Sequence, residues 1–182
     1  MAVIAVIHYD MGNLHSVCKA LEKAGATPKV TKNEDDLERA MAVVLPGVGA
    51  FDPAMQSLRD RNLIEPIKNV IKAGKPFLGI CLGMQILFES SEEGVENGLG
   101  IIPGKVRRFR ASGEIRIPHM GWNQLEITQA RSLLWEHLPP QPWVYFVHSF
   151  YVDPVDKKVR AATVTHGSQT VTAAVAYDNV TA

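Results

Sequence analysis

Over its first ninety residues the chain alternates short apolar runs with stretches of helical period, and this rhythm restricts it to an α/β fold built on a parallel sheet. The runs at 2–7, 28–31, 42–45 and 76–80 read as strands, the first of them buried. Helices are expected between them. One covers 13–24 and stops at Gly25, and a short acidic one covers 33–40 with Asn33 as its cap. A third is capped by Asp52, with Pro53 in its first position, and a fourth carries Ile64, Ile67, Val70 and Ile71 up to Gly74. A fifth is expected over 82–90. Beyond residue 90 the texture changes to short β-like runs at 105–109, 115–117, 125–128, 143–151, 160–165 and 170–177, separated by turn-prone stretches. These read as antiparallel additions to the sheet edge.

The 182 residues suit one domain, 1–182, with a sizeable core and no repeat or linker. Lys+Arg and Asp+Glu both total 19, and the one basic run, Arg107-Arg108-Phe109-Arg110, is short. A nucleic-acid partner is therefore not expected. No apolar run is long enough to span a bilayer. The apolar start lacks a basic leader and soon meets His8 and Asp10, so it reads as a strand and not as a signal peptide. Two cysteines make no disulfide framework and point to a reducing, cytoplasmic setting.

Cys81 carries the chemistry. It stands where the apolar run 76–80 gives way to a helical stretch, flanked by Gly79 and Gly83. A lone Cys in an apolar strand is ordinarily a small buried hydrophobe, and Cys18, on one stripe with Leu14, Val17 and Leu21, reads that way. The glycines and the strand-to-helix switch reverse the odds at Cys81, because they are the makings of a nucleophile elbow. A helix N-terminus there favours the thiolate, and its free N–H groups, that of Leu82 first, can hold an oxyanion. The loop Pro46-Gly47-Val48-Gly49-Ala50-Phe51 lies at another strand end and could supply a second donor. It lacks the third glycine of a dinucleotide loop, and the chain has no Gly-Lys-Ser/Thr phosphate loop. Gln85, one helical turn past Cys81, can face the same pocket, and Glu93 could bind an ammonium group.

The run from Gly79 to Gly94 resembles the signature of class I (triad) glutamine amidotransferases. Three further motifs, Tyr9-Asp10-Met11-Gly12-Asn13-Leu14, Pro46–Phe51 and Pro118-His119-Met120-Gly121-Trp122-Asn123, together with Tyr145–Tyr151, are similar to those of one branch, the glutaminase subunits of imidazole glycerol phosphate synthase. The resemblance covers essentially the whole chain. It implies a flavodoxin-like three-layer fold with a mostly parallel central sheet, no cofactor and no metal. It implies that Cys81 attacks the glutamine amide, with the N–H groups of Leu82 and Gly49 holding the oxyanion. Gly47, Gln85, Glu93, Ser149 and Phe150 match positions that hold glutamine. Pro118, His119, Met120, Gly121, Trp122 and Asn123 match the side facing a (β/α)₈ cyclase, to which ammonia passes in histidine biosynthesis.

Two departures stand out. His8 replaces a small or acidic residue. The triad His and Glu, which the resemblance places in a Phe-His-Pro-Glu run after 171–177, do not occur. His8, His15, His119, His137, His148 and His166 all lack a following acid in a triad-like arrangement. The expectation is a domain truncated before its last strand and helix. The alternatives are an inactive domain that only binds its partner or glutamine, or a different thiol enzyme on a similar fold.

Overall fold

The computed structural model describes residues 2–111, 115–130 and 132–182. The first half consists of β1 (Val3–Ile7), α1 (Leu14–Lys23), β2 (Thr27–Thr31), α2 (Glu34–Arg39), β3 (Ala42–Gly47), α3 (Phe51–Asp60), α4 (Ile64–Lys72), β4 (Phe77–Cys81) and α5 (Leu82–Gln85). Local chemistry starts the first two helices, the second as expected and the first with Asn13 as its cap rather than its first residue. The Asn13 side chain accepts from the Ser16 N–H and that of Asn33 from the Asp35 N–H. β1 pairs in parallel with β2 and β3, and β3 pairs in parallel with β4. Side chains alternate across this sheet. Ala5, Ile7, Val43, Leu45 and Phe77 share one core with Leu37, Met55, Leu58, Ile67 and Val70 of α2, α3 and α4. Ile4, Val44 and Leu78 point the other way and, with Leu21 of α1, border an apolar depression.

The second half adds β5 (Ser90–Ser91), β6 (Gly104–Arg108), β7 (His119–Gln124), β8 (Glu126–Ile127), β9 (Trp143–His148), β10 (Phe150–Pro154), β11 (Arg160–His166), β12 (Gln169–Tyr177) and β13 (Val180–Thr181). The main sheet runs β2-β1-β3-β4-β13-β12-β10-β6-β5, with β11 and β8 branching from β12. It is parallel from β2 to β13 and antiparallel across β13-β12, β12-β10 and β10-β6. β7 and β9 form a separate antiparallel ribbon. Val144 and Phe146 pack from the ribbon onto Leu125 and Ala162, leaving Met120, Trp122, Trp143, Tyr145 and Val147 exposed. Among the described residues no helix is long and apolar enough to cross a membrane.

Six expectations are corrected. The helix at 82–90 is only the four-residue α5. Distant backbone N–H groups capture the carbonyls that would have continued it. Leu99 bonds Ile86, Ile101 and Ile102 both bond Leu87, and Gly100 bonds Phe88. Asp52 does not cap α3. Ala50 is the cap residue, and the Asp52 carboxylate accepts from the Val95 and Glu96 N–H groups at 3.0 Å each. Cys18 and its stripe are half-buried and not core, because α1 has no fully buried residue.

The run 115–117 is no strand, since the Arg116 carbonyl accepts from His166 Nε2 at 2.8 Å and Ile115 packs against Gly167. The run 143–151 divides at Ser149, so that β9 joins the ribbon and β10 the main sheet. Finally, the expected runs end at 170–177, yet one more short strand follows them. β13 lies parallel to β4, with Val180 opposite Phe77 and Thr181 opposite Leu78.

The closest packing joins α5 to β3. A Cβ added at Gly83 would sit 1.9 Å from the Leu45 carbonyl oxygen, and backbone cannot yield as a side-chain tip can. Gly83→Ala is expected to lower stability by about 3 kcal/mol. The check is a fall in the urea midpoint at unchanged slope.

Candidate functional site

Strand β4 delivers Cys81 to the end of the sheet, and α5 begins at the next residue. Cys81 has φ 56° and ψ −112°, a conformation that non-glycine residues avoid and that costs of order 1–3 kcal/mol. This is the sharp turn of a nucleophile elbow. Gly47, opposite Cys81 in the β3–β4 register, lies behind the elbow. A Cβ there would stand 2.6 Å from the Tyr9 hydroxyl and 2.8 Å from the Gly83 nitrogen. Gly49 has φ +103°, which releases its peptide to turn toward the cavity.

Beside Cys81 opens a cavity of about 400 Å³. Cys81, Leu82, Gln85, Gly49 and Glu93 line it from the first half of the chain, and Pro118, Ser149 and Phe150 from the second. Gly47 and His119 to Asn123 do not line it. Two walls are tied by side chains. Glu93 Oε2 accepts from the Phe51 N–H at 2.9 Å, which holds its carboxylate at the start of α3. Gln85 Nε2 donates to the Phe150 carbonyl at 3.3 Å, joining α5 to β10. The arrangement offers a thiol nucleophile, backbone donors beside it, a carboxylate across the cavity and amide groups between.

The electrostatics differ from expectation in one respect. Burial raises the Cys81 thiol above its ordinary pKa, and the Leu82 N–H pulls it only partly back. A four-residue helix cannot supply the dipole that a longer one would, so the thiolate is less favoured than the sequence suggested.

Four participants escaped the sequence reading of the pocket. Val48, Val147 and His148 also line the cavity. Tyr9 lies buried beneath the elbow, and its hydroxyl makes no hydrogen bond among the described residues. Burial, then the Cys81 charge, pushes its pKa up. The available signal was positional, since Tyr9 follows β1 as Gly47 ends β3, two neighbouring strands of a parallel sheet.

Beside the cavity, the ribbon sets a buried His119 directly opposite a half-buried His148. Their rings bond at 3.0 Å, and His166 stacks on His119 at 4.2 Å between centroids. Burial foremost, then His166 and His148, push His119 down from 6.5 to about 4, and burial lowers His148 as well. Among the described residues no group of three or more His, Cys, Asp or Glu side chains could hold a metal ion.

Two measurements follow from this geometry. Cys81→Gly relieves the strained turn and is expected to raise stability by about 1 kcal/mol in urea unfolding while removing the thiol. For His119, the folded state binds fewer protons than the unfolded state between pH 6.5 and about 4. Its contribution is complete above pH 6.5 and is lost as the pH falls through that window. Melting temperature should therefore drop more steeply from pH 6.5 to 4.5 in the native sequence than in His119→Phe.

The class-I glutamine amidotransferase family model matches residues 5–181. The chain is 72% identical over its whole length to imidazole glycerol phosphate synthase subunit HisH of Trichormus variabilis, and 71% identical to the subunit of the same name from Nostoc punctiforme. It spans 86% of each. Among solved structures it is similar to a glutamine amidotransferase with a TM-score of 0.73 at 19% identity, covering 97% of this chain and 86% of that one. It is also similar to PurLQS from Thermotoga maritima, with a TM-score of 0.72 at 21% identity, covering 100% of this chain and 85% of that one. These last two likenesses concern the fold. With its elbow, its parallel sheet and these relatives, the chain belongs to the class-I glutamine amidotransferase family and, within it, to the HisH subunits of imidazole glycerol phosphate synthase.

Proposed function

We propose that this chain is the glutaminase subunit of an imidazole glycerol phosphate synthase, hydrolysing glutamine at Cys81 and passing ammonia to a (β/α)₈ cyclase partner. One observation carries the reading. Residues from five separate stretches of sequence, Gly49, then Cys81, Leu82 and Gln85, then Glu93, Pro118 and Ser149-Phe150, meet around a single cavity beside a strained thiol. In this reading Glu93 takes the glutamine ammonium, while Gln85 and the 149–150 backbone flank its carboxylate end. Sγ attacks the amide carbon, and the N–H groups of Leu82 and Gly49 receive the oxyanion. The C–N bond then breaks as the nitrogen gains a proton, and ammonia leaves. Water hydrolyses the thioester, releasing glutamate and restoring the thiol.

The partner docks on the ribbon. Met120, Trp122, Trp143, Tyr145 and Val147 present an apolar, aromatic-rich face, and Pro118 and Val147 carry that face to the cavity rim. Exposed aromatics in such a patch are the usual anchors of an interface. The two free cysteines fit a cytoplasmic setting.

The test uses the full encoded protein with the cyclase and its nucleotide ligand. Glutamate release is expected for the native sequence and a fall of at least about 10³-fold for Cys81→Ala. Trp122→Ala is expected to weaken binding of the cyclase about ten-fold or more by titration. Glutamate release no greater than that of Cys81→Ala would overturn the reading.

A further inference from the structure

Behind the apolar face of the ribbon runs a chain of hydrogen bonds whose polarity is fixed from both ends. At one end the Phe150 carbonyl can only accept, so His148 Nδ1, at 2.8 Å, carries the proton. At the other end the Asn123 amide cannot turn over. Its Nδ2 donates to the Thr165 carbonyl at 2.9 Å and its Oδ1 accepts from the Gln124 N–H at 2.8 Å. The second Asn123 N–H therefore points at His119 Nε2, 3.2 Å away, and makes that nitrogen the acceptor. His119 Nδ1 is then the donor to His148 Nε2 at 3.0 Å, which is the role His148 leaves open. Asn123, His119, His148 and the Phe150 carbonyl thus form one directed series with both rings neutral and protonated at Nδ1. Phe150 is also the acceptor for Gln85 Nε2, so the series ends on a group that orients a cavity-lining amide.

We propose that Asn123, His119 and His148 are positioning residues that transmit the placement of the β7–β9 ribbon to the Phe150 carbonyl and, through it, to Gln85 in the glutamine pocket. This rests on the reading of the cavity as a glutamine site and of the ribbon as the cyclase face. The rings are wedged so that neither tilts freely. Phe109 packs edge-on against His148 at 5.1 Å, Phe146 stacks on His119 at 4.6 Å, and His166 stacks on the same ring. A displacement of the ribbon on docking is therefore passed along the bonds and not absorbed by ring rotation. An extra proton is not tolerated either. On His148 Nε2 it would face the His119 N–H, and on His119 Nε2 it would face the Asn123 N–H. The groups that face the pair are His166, whose own Nε2 donates to the Arg116 carbonyl, and the Phe109 and Phe146 rings. None is a carboxylate that would stabilise such a proton.

Two experiments decide the matter. First, nitrogen-15 spectra of the protein labelled at histidine should show His119 and His148 neutral at pH 7, each with its proton on Nδ1. An Nε2-protonated or cationic ring at either position overturns the chain. Second, alkylation of Cys81 is timed with a chloroketone analogue of glutamine and, separately, with iodoacetamide, which reads thiol reactivity alone. In His148→Phe, which keeps an aromatic ring but no polar atom, the preference for the glutamine analogue should fall about ten-fold with the iodoacetamide rate little changed. His148→Asn restores a donor near the Nδ1 position and should recover most of that preference. His148→Gln, with its amide one bond further out, should not. Equal preference in His148→Phe and the native protein, or no recovery in His148→Asn, overturns the positioning role. If the native protein itself shows no preference for the glutamine analogue, the reading of the cavity fails instead.

Discussion

The approach of Gly83 to the Leu45 carbonyl sets the rest of the site. Because α5 lies directly against β3, the chain must reverse within the single residue Cys81, and the thiol is driven out at the sheet end in a conformation it would not adopt alone. Such strain persists only where the surroundings over-determine it. Here β3 and Tyr9 fix it from behind. α5 is anchored in turn by the loop 98–102, whose N–H groups take the carbonyls of residues 86–88. The turn is thus held by pairings distant in sequence, which is why so short a helix is stable where an isolated one of that length would not form.

That anchoring also explains the third wall of the cavity. Ending the helix at Gln85 lets the chain swing out to β5 and, after a loop, run parallel to it along β6, which pairs with β10 from Phe150 to Pro154. Ser149 and Phe150 then lie across from Cys81. The Glu93 and Asp52 carboxylates fasten the same loop to the start of α3, each accepting from backbone on the other segment. A Cβ at Gly94 would strike Asp52 Oδ1 at 2.0 Å, so the loop is closed to within a methyl group. Carboxylates accepting backbone N–H bonds make firm struts. Glu93 therefore enters the cavity from a fixed position and not on a mobile turn.

What could be read in the sequence follows the range of the interactions. The cap Asn33 acts on an N–H two residues on and was legible, while Asn13, read as the first residue of its helix, acts as its cap three residues before Ser16. The parallel strands and the elbow were legible too, since their signals are apolar runs and flanking glycines. The length of α5 was not, because the carbonyls of residues 86–88 just past it are taken by the distant residues Leu99 to Ile102. Asp52 was misassigned for a similar reason, having a nearby role as a cap and a distant one toward Val95, of which the distant one prevails. In the site, Cys81, Gln85 and Glu93 stood out locally, while Ser149 and Phe150 rested on a resemblance to known motifs. The pairing of His119 with His148 needs the ribbon register, which no local pattern encodes.

The state of the thiol joins these features. Burial raises the Cys81 pKa, and the Leu82 N–H draws it only partly back. His148 lines the same cavity but is not free to take the thiol proton, since its Nδ1 proton is committed to Phe150 and its Nε2 lone pair to His119. Taking the thiol proton would cost it the bond to His119 and place a cation among aromatic rings. A ring fixed in this way serves to orient its neighbours and is a poor base for the same reason. The elbow and the cavity thus fix where the thiol stands and which way it faces, and the rings beside it are held by bonds of their own.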